Sequence, residues 1–193
     1  MLKIGLTGNI GSGKTWVCKV FEALGVPIYY ADLEARKILN SQNMIQEIIE
    51  TFGHEVALNK NEINRKALAA IVFNDKAELD KLNQLIHPKL REDFLEWSNN
   101  YKTHPYVMQE AAILFENGFH TLMDKNITVS APQEIRLKRV MERDEANEDE
   151  VLARMRNQWL DKKKEKAADF IIYNDGQQMV LAQILKIHQN ILK

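Results

Sequence analysis

The chain has 193 residues, 45% hydrophobic and 27% charged, enough apolar surface for one full core with small appendages. Twenty-six basic against 27 acidic side chains leave a net charge of −1, which removes the electrostatic reason to expect sequence-independent binding to nucleic acid or a membrane surface. A small-molecule partner is favoured, and the single cysteine, Cys18, excludes an internal disulfide and fits a reducing compartment, the cytoplasm.

At the amino terminus Leu2 to Thr7 reads as a short buried strand, without the charged head, apolar stretch and cleavage site of a targeting signal. No stretch of the sequence approaches the roughly 18 apolar residues that a membrane helix needs. Four of the eight glycines, Gly5, Gly8, Gly11 and Gly13, fall within the first thirteen residues and mark a special backbone site. Val17, Val20, Phe21 and Leu24 then recur at helical spacing until Gly25-Val26-Pro27 stops the helix. A second strand spans Pro27 to Ala31, ending at Asp32. From there to about Asn100 the periodicity is mainly helical, on stripes such as Ile45, Ile48, Ile49 and Phe52, as expected of a helical insertion. Tyr106 to Met108, Ile127 to Ala131 and Phe170 to Tyr173 complete a sheet of about five strands. A charge-dense helical region runs from Gln133 to Lys166, and an amphipathic helix on Val180, Ile184, Ile187 and Ile191 closes the chain. Strands alternating with helices predict an α/β fold with parallel strands.

Gly8-Asn9-Ile10-Gly11-Ser12-Gly13-Lys14-Thr15 fits G-x-x-x-x-G-K-[ST] between a strand and a helix, the context that a phosphate-binding loop requires. A triphosphate brings several negative charges that main-chain N–H groups must meet, and glycine alone lets the backbone approach so closely. Lys14 supplies a cation for the β- and γ-phosphates and Thr15 a hydroxyl for Mg²⁺. The first-turn amides of Thr15 and Trp16 are expected to point toward the α-phosphate, and Asn9 to tolerate a positive φ where a second glycine could stand. No glycine has an aspartate three places before it, so the D-x-x-G switch of a GTPase is missing; the Asn59-Lys60-Asn61-Glu62 stretch lies in the insertion, away from a late strand. A small-molecule kinase leads, ahead of a nucleotide-gated binding protein.

Asp32 follows the second strand, where an open parallel sheet places its ligands; it serves either to orient an acceptor hydroxyl or to cap a helix at Leu33-Glu34-Ala35. Arg139 and Arg143 share a helix face and Arg154 lies on the next helical segment, so they form either a phosphate clamp or a salt-bridged solvated hairpin. Glu110 ends the Tyr106-Val107-Met108-Gln109 strand, placed to hold Mg²⁺ through water. Trp97 and Trp159 read as packing or surface residues.

Leu6 to Thr15, Ala31-Asp32 with Ala35-Arg36, Ile71-Val72-Phe73, His87-Pro88 and Leu114-Phe115-Glu116 resemble, in order and spacing, the dephospho-CoA kinase family. The resemblance continues through Leu137-Lys138-Arg139, Arg143-Asp144, Arg154-Met155 with Gln158, Ala168-Asp169, Ile172, Asn174 and Gly176. Thr15-Trp16, Asn9 and Ala112 depart from the family's commoner Ser-Thr, Gly and Pro. The resemblance implies a three-layer P-loop kinase fold and transfer of the ATP γ-phosphoryl group to the ribose 3′-hydroxyl of dephospho-CoA. It implies a single domain with a core at about 1–31, 101–132 and 167–193, a CoA-binding insertion at about 32–100 and a lid at about 133–166. It assigns catalysis to Asp32, Lys14, Arg139 and Arg143, and nucleotide binding to Gly8, Gly11, Ser12, Gly13, Lys14, Thr15, Trp16, Arg143, Asn174 and Gly176. Asp32, Arg36, Arg65, His87 and Arg154 are its acceptor-binding candidates, with Thr15 and Glu110 for the metal, although a histidine before proline is often a structural cap. Another P-loop kinase, acting on a nucleoside, nucleotide or shikimate-like acceptor, is the alternative.

Overall fold

The computed structural model describes residues 1–59, 61–72 and 74–193; Lys60 and Phe73, both part of stretches read above, lie outside the described residues. The elements in chain order are β1 (Leu2–Gly8), α1 (Lys14–Ala23), β2 (Ile28–Tyr30), α2 (Ala31–Leu39), α3 (Gln42–Phe52), β3 (Ala57–Asn59), β4 (Glu62–Ile63), α4 (Arg65–Val72) and α5 (Lys76–Asn99). They continue with β5 (Tyr106–Glu110), β6 (Lys125–Ser130), α6 (Gln133–Asp144), α7 (Glu148–Arg156), α8 (Asp161–Ala167), β7 (Phe170–Tyr173) and α9 (Val180–Ile191). The chain divides into two compact units, residues 1–30 with 98–193 and residues 31–97.

The first unit carries a five-stranded sheet in the order β2-β5-β1-β6-β7, every neighbouring pair parallel. Alternation of β-branched and aliphatic residues with helical stripes produces this arrangement, because a parallel strand must be reached by a crossover and each crossover covers a face of the sheet. Ile4 and Leu6 of β1, Phe21 of α1, Ile127 of β6 and Ile184 of α9 are fully buried in one core. The chain leaves β1 toward β2 on one side and reaches β6 and β7 on the other, so the carboxyl ends of β1 and β5 flank the crevice where such sheets bind ligands. Glu110, last residue of β5, is in register with Leu6 of β1 and with Tyr30 of β2. Gly5 belongs to packing rather than to the phosphate loop: a Cβ there would come within 2.6 Å of Asn126 Oδ1 and of a Leu114 methyl.

The second unit is mostly helical, with Met44, Ile48, Leu68, Leu82 and Ile86 in its core. Ile45, Ile48 and Phe52 are buried as the α3 stripe requires, and Ile49 packs at its edge. It also holds an antiparallel pair, β3 with β4, which the mainly helical reading lacks. Strands of two and three residues are too short to display a period. Pro88 lies inside the 24-residue α5, so His87 is no helix cap. Proline brings no N–H for the carbonyl one turn earlier, and the helix runs on past that missing bond.

Candidate active site

The loop between β1 and α1 has the backbone that its glycines permit. Gly11 and Gly13 have φ of 80° and 96°, and Gly13 caps α1 in the left-handed region. Side chains would also collide there: a Cβ on Gly11 would meet the Arg136 carbonyl oxygen at 2.5 Å, and one on Gly13 would meet the Asn174 amide. The outward carbonyls are pinned one by one. Arg136 donates to Ile10 O at 3.3 Å, Arg139 to Gly11 O at 3.4 Å, and Asn174 Nδ2 to Ser12 O at 2.8 Å. With these carbonyls satisfied, and the Ile10 and Ser12 N–H groups donating to Gln158 and to Asn9 O, the loop suits phosphate through the remaining main-chain N–H groups. Lys14 and Thr15 open α1, where N–H groups have no acceptor within the helix.

One expectation for the loop is corrected. Asn9 does not adopt a positive φ; among the described residues Glu145 is the only non-glycine that does. Asn9 is instead buried, and its amide donates to Trp159 O at 2.9 Å and Asp161 Oδ1 at 3.0 Å, tying the loop to residues 150 positions away. The Trp16 N–H lies 3.1 Å from Gly13 O, which also accepts from the Val17 N–H at 3.2 Å.

The segment entering α8 forms a strap over the loop. Gln158 accepts from the Ile10 N–H at 2.8 Å, and Asp161 pairs with Arg136 at 2.6 Å. Arg136, only 3% exposed, also donates to Ala131 O at 3.0 Å, so all three of its nitrogens are used. Below the strap Lys164, 1% exposed, pairs with Glu116 at 3.0 Å and donates to Ala112 O at 2.8 Å. Burial pulls the Lys164 ammonium below its usual pKa, and the Glu116 carboxylate opposes that shift. Glu116 also accepts from the Trp159 N–H at 2.9 Å, and the Trp159 ring stacks on Phe115. Trp159 is thus a packing residue as expected, with main-chain duties added. Arg136 and Lys164 were missed by sequence reasoning; for Arg136 the available signal was its place one turn before Val140, on the buried stripe of α6.

The arginine reading divides. Arg139 serves the loop directly, bonding Gly11 O and both the carbonyl and side-chain oxygens of Asn174. Arg143 and Arg154, from α6 and α7, meet on one carboxylate: Asp144 accepts from Arg143 at 2.7 and 3.0 Å and from Arg154 at 2.7 Å. These guanidinium groups hold the Asp144 carboxyl well below the usual carboxylate range. Arg143 and Arg154 remain about half exposed, with side-chain exposures of 60% and 50%.

Glu110 and Lys14 both exert their charge on Cys18 in α1; burial and then Glu110 push its thiol up, while Lys14 pulls it down. A hydroxyl from Thr15 and a carboxylate from Glu110 are hard oxygen donors of the kind Mg²⁺ takes alongside phosphate oxygens and water. Among the described residues no cluster of three His, Cys, Asp or Glu side chains forms a metal cage. Magnesium in phosphoryl-transfer sites does not need one. Gly176 has φ of 80° with open space around its Cα, in the turn that follows Asn174.

In the second unit Asp32 is exposed in the first turn of α2, which begins at Ala31. That puts it inside the helix rather than at the cap, its carboxylate at the positive end of the dipole. Arg36 and Arg65 line one cavity of about 260 Å³, walled by Leu39, Ile63, Leu68 and Leu82. Arg65 donates to Asn40 Oδ1 at 2.9 Å. His87 is not part of that lining; it is half-buried in α5, its pKa lowered by burial and then by Arg91.

A parallel sheet in this order, with a glycine loop running from β1 into α1 and arginines on the following helices, defines a P-loop kinase fold. A shikimate kinase of Aquifex aeolicus shares it at a TM-score of 0.53 and 19% identity over 98% of this chain and 96% of that one, a likeness of fold alone. The dephospho-CoA kinase family profile matches residues 2–179. Dephospho-CoA kinases of Bacteroides fragilis and Idiomarina loihiensis are 36% identical over 96% and 98% of this chain and 91% and 94% of theirs. A dephospho-CoA kinase from Campylobacter jejuni superposes with a TM-score of 0.71 at 30% identity, covering 98% of this chain and 96% of that one. A Thermus thermophilus protein gives a TM-score of 0.89 at 33% identity over 100% of this chain and 98% of that one. The chain belongs to the dephospho-CoA kinase family.

Proposed function

We propose that this chain transfers the γ-phosphoryl group of ATP to the ribose 3′-hydroxyl of dephospho-CoA, giving CoA and ADP. The observation that carries the reading is the phosphate loop with three successive carbonyls pinned outward, in a chain of this family. In this reading Gly8, Gly11, Ser12 and Gly13 shape the cradle, and the N–H groups of Gly13, Lys14 and Thr15 receive phosphate oxygens. The Lys14 ammonium meets the β- and γ-phosphates, and Asn174 with Gly176 borders the adenosine. Asp32 accepts a hydrogen bond from the acceptor hydroxyl and orients it; phosphoryl-transfer transition states are loose, so orientation counts for more than full deprotonation. Thr15 and, through water, Glu110 would hold Mg²⁺, which neutralises charge on the β- and γ-phosphate oxygens when bound.

Arg36 and Arg65, lining a largely apolar cavity, suit the anionic groups of the acceptor, with the cavity for an apolar stretch of it. His87 is the weaker acceptor-binding candidate, since it lies outside that cavity's lining. The chain acts as one functional domain: the first unit holds ATP, residues 31–97 hold the acceptor, and about 133–166 are the lid. Its site of action is the cytoplasm, supported by a buried free Cys18 and by the lack of any helix, among the described residues, long and apolar enough to cross a membrane. Near-neutral charge gives no support to a nucleic-acid partner.

Release of ADP coupled to a reporter enzyme tests the reaction. Release is expected with dephospho-CoA and absent with AMP, adenosine or shikimate; equal rates with any of these would favour another kinase, and no turnover with any acceptor a nucleotide-gated binding protein. Arg143, Arg154 and Asp144 supply a second test. The two guanidinium groups are held side by side by a carboxylate that a phosphoryl oxygen can replace. Arg143→Ala is therefore expected to lower kcat by about thirtyfold, with KM for ATP within about threefold. An unchanged kcat would remove Arg143 from the transition state.

A further inference from the structure

A cavity of about 520 Å³ opens beside the phosphate loop, lined by Trp16, Arg139, Asn174, Met179, Val180 and Leu181. It is continuous with the loop through its own walls, since Arg139 donates to Gly11 O and Asn174 to Ser12 O. Much of the hydrogen-bonding capacity of those two residues is already used within the protein. Arg139 also bonds both oxygens of Asn174, and the Asn174 amide nitrogen is spent on Ser12. What the cavity offers a ligand is therefore mainly apolar and aromatic surface: Trp16 is 49% exposed, Met179 75% and Leu181 45%. Among the described residues no aromatic ring stacks on the Trp16 indole.

We propose that the Trp16 indole is the stacking face for the base of the nucleoside triphosphate, making recognition of the base a matter of ring face more than of ring edge. The inference rests on the nucleotide site proposed above and names how that site holds the base. Three features agree on it. Trp16 directly follows Thr15, so its ring stands beside the residues to which the reading above assigns the phosphates. The same lining holds the apolar side chains of Met179 and Leu181, and a thioether adapts its shape to an aromatic ring. The planar Arg139 guanidinium lines the same cavity, and such groups stack on aromatic faces. Stacking grows with ring area, so purine nucleotides are held above pyrimidine nucleotides.

Equilibrium binding without any acceptor tests this apart from the transfer reaction. Trp16→Ala is expected to raise the Kd for ATP by about tenfold, the size of a lost base–aromatic stack, and to shrink the preference for ATP over CTP. Inorganic tripolyphosphate, which has the anionic tail and no base, is expected to bind the variant within about twofold of the parent. Trp16→Phe keeps a ring face and is expected to hold ATP within about threefold of the parent. Equal weakening of ATP and tripolyphosphate would overturn the inference, because Trp16 would then be acting through the loop; so would an unchanged Kd for ATP in Trp16→Ala. If the parent bound neither ATP nor tripolyphosphate, the nucleotide site itself would fall and the inference with it.

Discussion

Asp32→Ala is expected to lower kcat by about a thousandfold while the Kd for ATP stays within about threefold. The side chain is exposed in the first turn of α2, so its removal leaves no cavity in a core and the fold is expected to survive. The loss has two components, orientation of the acceptor hydroxyl and acceptance of its proton, and Asp32→Asn separates them. An amide oxygen still accepts a hydrogen bond but is a far weaker base, so orientation alone predicts that the asparagine variant keeps much more activity than the alanine variant. Steady-state turnover with saturating dephospho-CoA, beside ATP binding by calorimetry, decides it. Turnover of Asp32→Ala within about threefold of the parent would remove the residue from the chemistry.

Glu116→Gln should destabilise the fold by about 3 kcal/mol near neutral pH, because it leaves the Lys164 ammonium buried without its counter-charge. Glutamine keeps an acceptor for the Trp159 N–H, so the change isolates the charge. The pH dependence has a definite sign. Burial lowers the folded-state pKa of Lys164, and losing Glu116 lowers it further, with Lys14 repelling and Asp161 still attracting the ammonium. Between the lowered folded value and the unfolded value the unfolded chain binds more protons, so stability rises with pH. The deficit of Glu116→Gln against the parent is therefore largest near about pH 7 and narrows toward about pH 10, as the buried amine gives up its proton. Adding Lys164→Met, which removes the stranded charge and retains the apolar stem, is expected to recover most of the loss. Urea unfolding at three pH values measures both effects; a deficit that widens with alkalinity would show that the pair does not set the cost.

Some features could be read without coordinates because their causes are local. Gly11 and Gly13 adopt the positive φ that their spacing before Lys14-Thr15 announces, and a helix follows at once. The five parallel strands and α9 with Ile184, Ile187 and Ile191 buried follow from periodicity, which a single element expresses on its own. Local reading failed where a side chain takes a partner far away in sequence. Asn9 was credited with backbone tolerance and instead works through its amide on Trp159 and Asp161. His87, weighed as a structural cap before Pro88, lies within a continuous helix.

By itself, then, the sequence determined the phosphate loop, the order of strands and helices around it and the family, since each depends on residues within one or two turns of each other or on their order along the chain. Tertiary structure alone decided that Arg139 pins the loop while Arg143 and Arg154 share Asp144, and that Arg136 and Lys164 are buried although lysine and arginine rarely are. The reason is physical: a charged side chain survives burial only if a counter-charge and acceptors are brought to it, and those on Glu116, Asp161, Ala112 and Ile10 come together only in the folded chain, with the strap against the loop.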